Sequence, residues 1–123
     1  MSRILAVDDS PTVLQLLSQM LAEGHHDVIR AVDGVEAIRL AVEQQPDLVL
    51  LDVILPKLNG YQVCRQLKAM PETAAIPVIL ITRKAKDEDR QWGVEQGADG
   101  YITKPFTTLD LLSMIRQFLP PLS

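Results

Sequence analysis

Five short strand-like runs recur along this chain, at residues 4–7, 27–31, 48–51, 78–81 and 101–103, and stretches with helical spacing separate them. Strand followed by helix, five times over, leaves few folds open. It predicts an α/β protein: a doubly wound sheet of five parallel strands with helices on both faces. The third run, Leu48-Val49-Leu50-Leu51, is apolar throughout and reads as a central strand buried on both sides. The run at 27–31 is poorer in apolar residues and reads as lying near an edge.

The intervening segments carry start and stop signals. Ser10-Pro11 opens a first helix, Ser as N-cap and Pro in the first turn. Val13, Leu14, Leu17, Met20 and Leu21 share one side of it, and Gly24 closes it. Asp33-Gly34 reads as a turn before a second helix, with Val35, Ile38, Ala41 and Val42 inward and Pro46 beyond its end. A third helix starts near Gly60, turns Val63, Leu67 and Met70 inward and stops at Pro71. Residues 83–96 are polar, with a thin inner face of Ala85, Trp92 and Val94 weakened by Gly93, which predicts a fourth helix of low local stability. Thr107 or Thr108 caps a last helix in which Leu111, Leu112, Ile115, Phe118 and Leu119 pack inward before Pro120-Pro121.

Length and composition bound the function. At 123 residues the chain reads as one domain, 1–123. A net charge of −4 with no basic run argues against a nucleic-acid surface, which would need a Lys/Arg stripe. A single Cys rules out an internal disulfide and a multi-Cys metal site, and fits a reducing compartment. No stretch reaches membrane-spanning length, and residues 4–7 are too short for a signal peptide. The expectation is a cytoplasmic protein with no nucleic-acid or membrane partner. Cys64 reads as structural, and His25 and His26, adjacent in a loop, are given no role.

Chemistry gathers at the strand ends. In an open parallel sheet, ligands bind beyond the C-terminal ends of the strands, where strand order reverses. The first strand delivers Asp8 and Asp9 there, the third Asp52, the fourth Thr82 and the fifth Lys104. Each alone has a plain reading as a solvated loop, a cap or a surface lysine. Together, with the first strand beside the third, they form converging carboxylates that need a counter-charge. Mg²⁺ suits them, since it takes one or two carboxylates and favours phosphate oxygens. Lys104 and Thr82 suit a phosphoryl group, as a point charge and a hydrogen-bond donor. The set fits phosphoryl transfer to Asp52 as an aspartyl phosphate.

The motifs VDDS at 7–10, LLDVILPKLNGY at 50–61, ILIT at 79–82 and GADGYITKPF at 97–106 resemble, end to end, the receiver domain of two-component response regulators, specifically the stand-alone kind. The resemblance implies a flavodoxin-like fold with strand order 2-1-3-4-5, an order for which a chemotaxis regulator of this family is a known example. It implies Asp52 as phosphoacceptor. Asp8, Asp9 and Asp52 would hold Mg²⁺ together with the backbone carbonyl of Ile54, with Thr82 and Tyr101 as the switch pair and Lys104 as the phosphate-binding lysine. It also implies a cis Lys104-Pro105 bond, a histidine kinase or phosphotransfer protein as donor, and a protein target on the face of the fourth helix, fifth strand and fifth helix. The chain would be a monomer or weak dimer and a signalling domain rather than an enzyme. Residues 89–106, chiefly Trp92-Gly93 and Gln96-Gly97, resemble stand-alone regulators of type IV pilus twitching and phototaxis systems.

Two positions depart from the family pattern: Arg83, where a small residue usually follows the switch hydroxyl, and Ile54, which lies where side chains tune attack by water. Arg83 either points away or lies over the site. Other readings stay open: an interaction module of receiver fold that works without phosphorylation, and an enzyme of flavodoxin or haloacid-dehalogenase type. DDSPT lacks a flavin phosphate cradle, and Ile54 stands where such a phosphatase carries a second Asp.

Overall fold

The computed structural model describes residues 2–83, 91 and 94–119. They form β1 (Arg3–Val7), α1 (Pro11–Glu23), β2 (Asp27–Ala31), α2 (Gly34–Gln44), β3 (Leu48–Asp52), α3 (Gly60–Ala69), β4 (Val78–Thr82), β5 (Gly100–Thr103) and α4 (Thr108–Arg116). The strands make one parallel sheet in the order β2-β1-β3-β4-β5, as the resemblance implies. The thin run at 27–31 is indeed an edge strand.

Alternation along each strand splits the core into two layers. Leu5, Val7, Val49, Leu51, Val78 and Leu80 face Ala37, Ala41, Val63 and Leu67 of α2 and α3. Ile4, Ala6, Leu48, Leu50, Ile79 and Ile81 face Leu14, Leu17 and Leu21 of α1 and Leu111 and Ile115 of α4. The first four residues of β3 and of β4 are almost wholly out of solvent. Each such side chain contributes about 1.5–3 kcal/mol of burial, so these two strands are the stiffest part of the sheet.

Several local expectations are corrected. Val35 is 51% exposed, and α2 packs through Gly34, Ala37 and Ala41 instead. The reason is close approach: a Cβ on Gly34 would come within 2.7 Å of the Leu58 carbonyl oxygen and the Val63 side chain. Asp33-Gly34 is a helix start rather than a turn, because the Glu36 N–H donates to Asp33 Oδ1 at 2.8 Å. Met70 lies just past α3 with ψ 130°, the extended conformation that a following proline favours. α4 ends at Arg116, although Phe118 and Leu119 still pack on the second layer. Val94 is 62% exposed rather than inward. Ala85, Trp92, Gly93 and Pro120-Pro121, and most of the fourth helical segment, lie outside the described residues.

Away from the strand C-termini, one lysine joins three elements. Lys68 Nζ of α3 lies 2.7 Å from Asp99 Oδ2 and donates to the carbonyls of Ile76 (2.8 Å) and Ala74 (3.3 Å). The same Asp99 oxygen accepts from the Val78 N–H at 2.8 Å, where β4 begins. Gly97, at φ +94°, lies against the lysine stem. Asp99 is 36% exposed, so solvent screens part of the attraction. Lys68→Met is expected to cost about 1–2 kcal/mol, read as a lower urea midpoint with an unchanged slope.

Candidate functional site

The register of the sheet sets the site. Val7 is paired with Leu51, Asp52 with Ile81 and Thr82 with Thr103. Asp8, one residue past Val7, therefore stands level with Asp52, and the two-residue period turns both the same way. The chain leaving β1 fixes Asp8 further. Its N–H donates to the Ala31 carbonyl (3.1 Å), and its Oδ1 accepts from the Ser10 N–H (2.9 Å). Ser10 in turn caps α1. Asp8 is buried, Asp9 exposed and Asp52 between them.

One oxygen from each of Asp8, Asp9 and Asp52 falls within 4.8 Å of the other two. Lys104 enters from the end of β5, its Nζ 3.5 Å from Asp8 Oδ2 and 3.9 Å from Asp52 Oδ2. Its backbone N–H donates to the Thr82 carbonyl at 2.7 Å, and the Lys104-Pro105 bond is cis, as the resemblance implies. Thr82 is buried at the end of β4. Tyr101 pairs with Leu80 and packs half-buried on the α2/α3 layer, so it shares Thr82's face of the sheet. The Ile54 N–H donates to Asp52 Oδ1 over 3.4 Å, and the Ile54 side chain is 67% exposed at the rim. The structure thus brings Asp8, Asp9, Asp52 and Lys104 together and places Thr82 at the same end of the sheet. Three hard oxygen donors so close together fit a hard divalent cation such as Mg²⁺.

Burial pushes the Asp52 carboxyl up to about 6, and neighbouring Asp8 adds to the rise. Lys104 and the Ile54 N–H pull the other way. A carboxyl raised in the folded state favours folding while it holds its proton. That contribution is complete below the ordinary aspartate value of 3.8 and is lost as pH rises through about 6. Asp52→Asn is therefore expected to unfold at higher urea than the wild type at pH 7 without divalent metal, by about 1–3 kcal/mol. The gap should close below pH 4.

Two supports depend on contacts that the sequence does not show. Gly60 opens α3 against the end of β3: its N–H donates to the Val53 carbonyl at 2.8 Å, and a Cβ there would strike the Asp52 carbonyl oxygen and lie 2.7 Å from the Val53 Cα. Lys57, at φ +68°, holds its Nζ 3.2 Å from Asp33 Oδ2, tying the β3–α3 loop to the start of α2. The Glu36 N–H and, after it, Lys57 hold the Asp33 carboxyl below its ordinary range. Asn59 and Gln62 form a capping box on α3. Cys64 is fully buried with its thiol pushed up to about 11, chiefly by that burial, which matches the structural reading.

The family model that matches the chain is the response regulator receiver domain, over residues 4–116. PilH of Pseudomonas aeruginosa is 46% identical over 119 residues, covering 97% of this chain and 98% of that protein. The transcriptional regulator RpaA of Synechocystis is 43% identical over 97% of this chain, which spans only 49% of it. Among solved structures, the Vibrio cholerae chemotaxis protein CheY4 superposes with a TM-score of 0.91 at 30% identity, over 97% of this chain and 99% of that one. The receiver domain of the Pseudomonas aeruginosa sensor kinase PA1611, solved with magnesium in its active-site cleft, gives 0.88 at 31% identity, over 95% and 96%. The fold and strand-end site define a signalling domain of the two-component class, and this chain belongs to the response regulator receiver domain family.

Proposed function

We propose that the chain is a phosphorylation switch whose phosphoacceptor is Asp52. The observation that carries this is the recessed Asp52 carboxylate, level with Asp8 and faced by Lys104 at 3.9 Å. In the transfer, an Asp52 oxygen forms the new O–P bond as the N–P bond of a phosphohistidine breaks; the bonding pair stays on that nitrogen, and the proton already on the other ring nitrogen leaves the donor imidazole neutral. Lys104 and the Thr82 hydroxyl hold the phosphoryl oxygens. Asp8, Asp9, Asp52 and the Ile54 carbonyl would hold Mg²⁺, which when bound supplies positive charge against the same oxygens.

The donor is a histidine kinase or phosphotransfer protein. Tyr101, on the face it shares with Thr82, couples the site to the surface of β5 and α4, where, with the fourth helix expected from the sequence, a protein target docks. The match to nearly the whole of PilH and the likeness to the chemotaxis protein CheY4 support a stand-alone regulator in motility-type signalling, which this reading places in the cytoplasm.

Incubation with acetyl phosphate and Mg²⁺ should add the mass of one phosphoryl group to the wild type and none to Asp52→Asn. Absence of the adduct with a phosphorylated kinase as donor too would favour an interaction module that works without phosphorylation. The exposed apolar Ile54 side chain at the rim shields the acyl phosphate from water. Ile54→Asn should therefore lose its phosphoryl group severalfold faster in a radiolabel chase, and an unchanged rate would remove that role.

A further inference from the structure

We propose that Arg83 is a second cationic contact for the phosphoryl group on Asp52, a role that rests on the phosphoacceptor reading above. Asp8, Asp9 and Asp52 carry three negative charges, which Lys104 and one divalent cation balance. A phosphoryl group is transferred as PO₃⁻ and leaves the site one negative charge in excess. In a recessed site that excess is costly unless another cation answers it.

Arg83 is placed to do so. β4 pairs with β3 through Asp52 and Ile81, and the Val53 N–H donates to the Ile81 carbonyl at 3.1 Å. Thr82 follows, buried, its carbonyl taken by the Lys104 N–H at 2.7 Å. Thr82 pairs with Thr103, so Arg83 stands level with Lys104 on the neighbouring strand, at the same rim. Its side chain is exposed rather than packed in the core, and it takes part in none of the ion pairs among the described residues. A guanidinium offers a planar fork that engages two phosphoryl oxygens at once, where Lys104 offers a point charge. At the solvent edge its effect is modest, about fivefold in affinity.

The test is calorimetric titration of the wild type, Arg83→Gln and Arg83→Lys, first with Mg²⁺ and then with beryllofluoride. The BeF₃⁻ group stands in for the phosphoryl group on the carboxylate and brings the same single negative charge. Arg83→Gln is expected to bind beryllofluoride about fivefold more weakly while holding Mg²⁺ at least as tightly as the wild type. Arg83→Lys should recover part of the loss, and the difference should shrink as salt rises. Equal or tighter beryllofluoride binding by Arg83→Gln would overturn the proposal and make Arg83 an obstruction over the site. A wild type with no Mg²⁺-dependent beryllofluoride binding would overturn the phosphoacceptor reading itself, whatever the Arg83 variants do. Equal melting temperatures without ligands establish that the variants are folded.

Discussion

Asp8 and Asp52 stand level on adjacent strands, both largely withdrawn from water, with one ammonium near their outer oxygens. One oxygen of each lies within 4.8 Å of the other, and two carboxylates at about that distance repel by about 3–4 kcal/mol at the effective dielectric of a protein surface. Such a pair persists only where the backbone cannot spread to relieve it. The two apolar layers provide that rigidity, by clamping β1, β3 and β4 between helices on both sides. The cost is held at the one edge of the sheet where charge can be added. Any cation or phosphoryl group arriving there acts against a strain that the fold already maintains.

The same unit serves different architectures. It spans nearly the whole of PilH but about half of RpaA. What the described residues contribute is the fold and the charge cluster at the strand ends. In the proposed switch, the pathway is set by what binds the surfaces beside that cluster.

Much of this was legible because it depends on pattern. Apolar runs ending in Asp, Thr and Lys located the strands and the site, and the buried run at 48–51 marked the centre of the sheet. Contacts between segments distant in sequence were not legible. Val35 looks like a core residue by spacing, yet it points outward because Gly34 brings α2 close to Leu58 and Val63. Asp33-Gly34 carries the signature of a turn, and only the Glu36 N–H shows it to be a cap. The pairing of Lys57 with Asp33 joins two loops that nothing in the sequence links. Val94 failed for a related reason, since a weakly amphipathic segment does not specify its own inner face.

Gly60 has a mechanical consequence. Because α3 starts directly against the Asp52 carbonyl, with its first N–H bonded to Val53, the backbone of Asp52 and the third helix form one stiff bracket. The Lys57–Asp33 pair and the Gly34 contact bolt that bracket to α2. Pulling Asp52 toward this side would mean dragging two helices. On the opposite side the site is flanked by β4 and β5, which carry Thr82, Tyr101 and, just past β5, Lys104. In the proposed switch, compliance is thus unequal across the sheet: the acceptor is the anvil, and motion is left to Thr82, Tyr101 and Lys104.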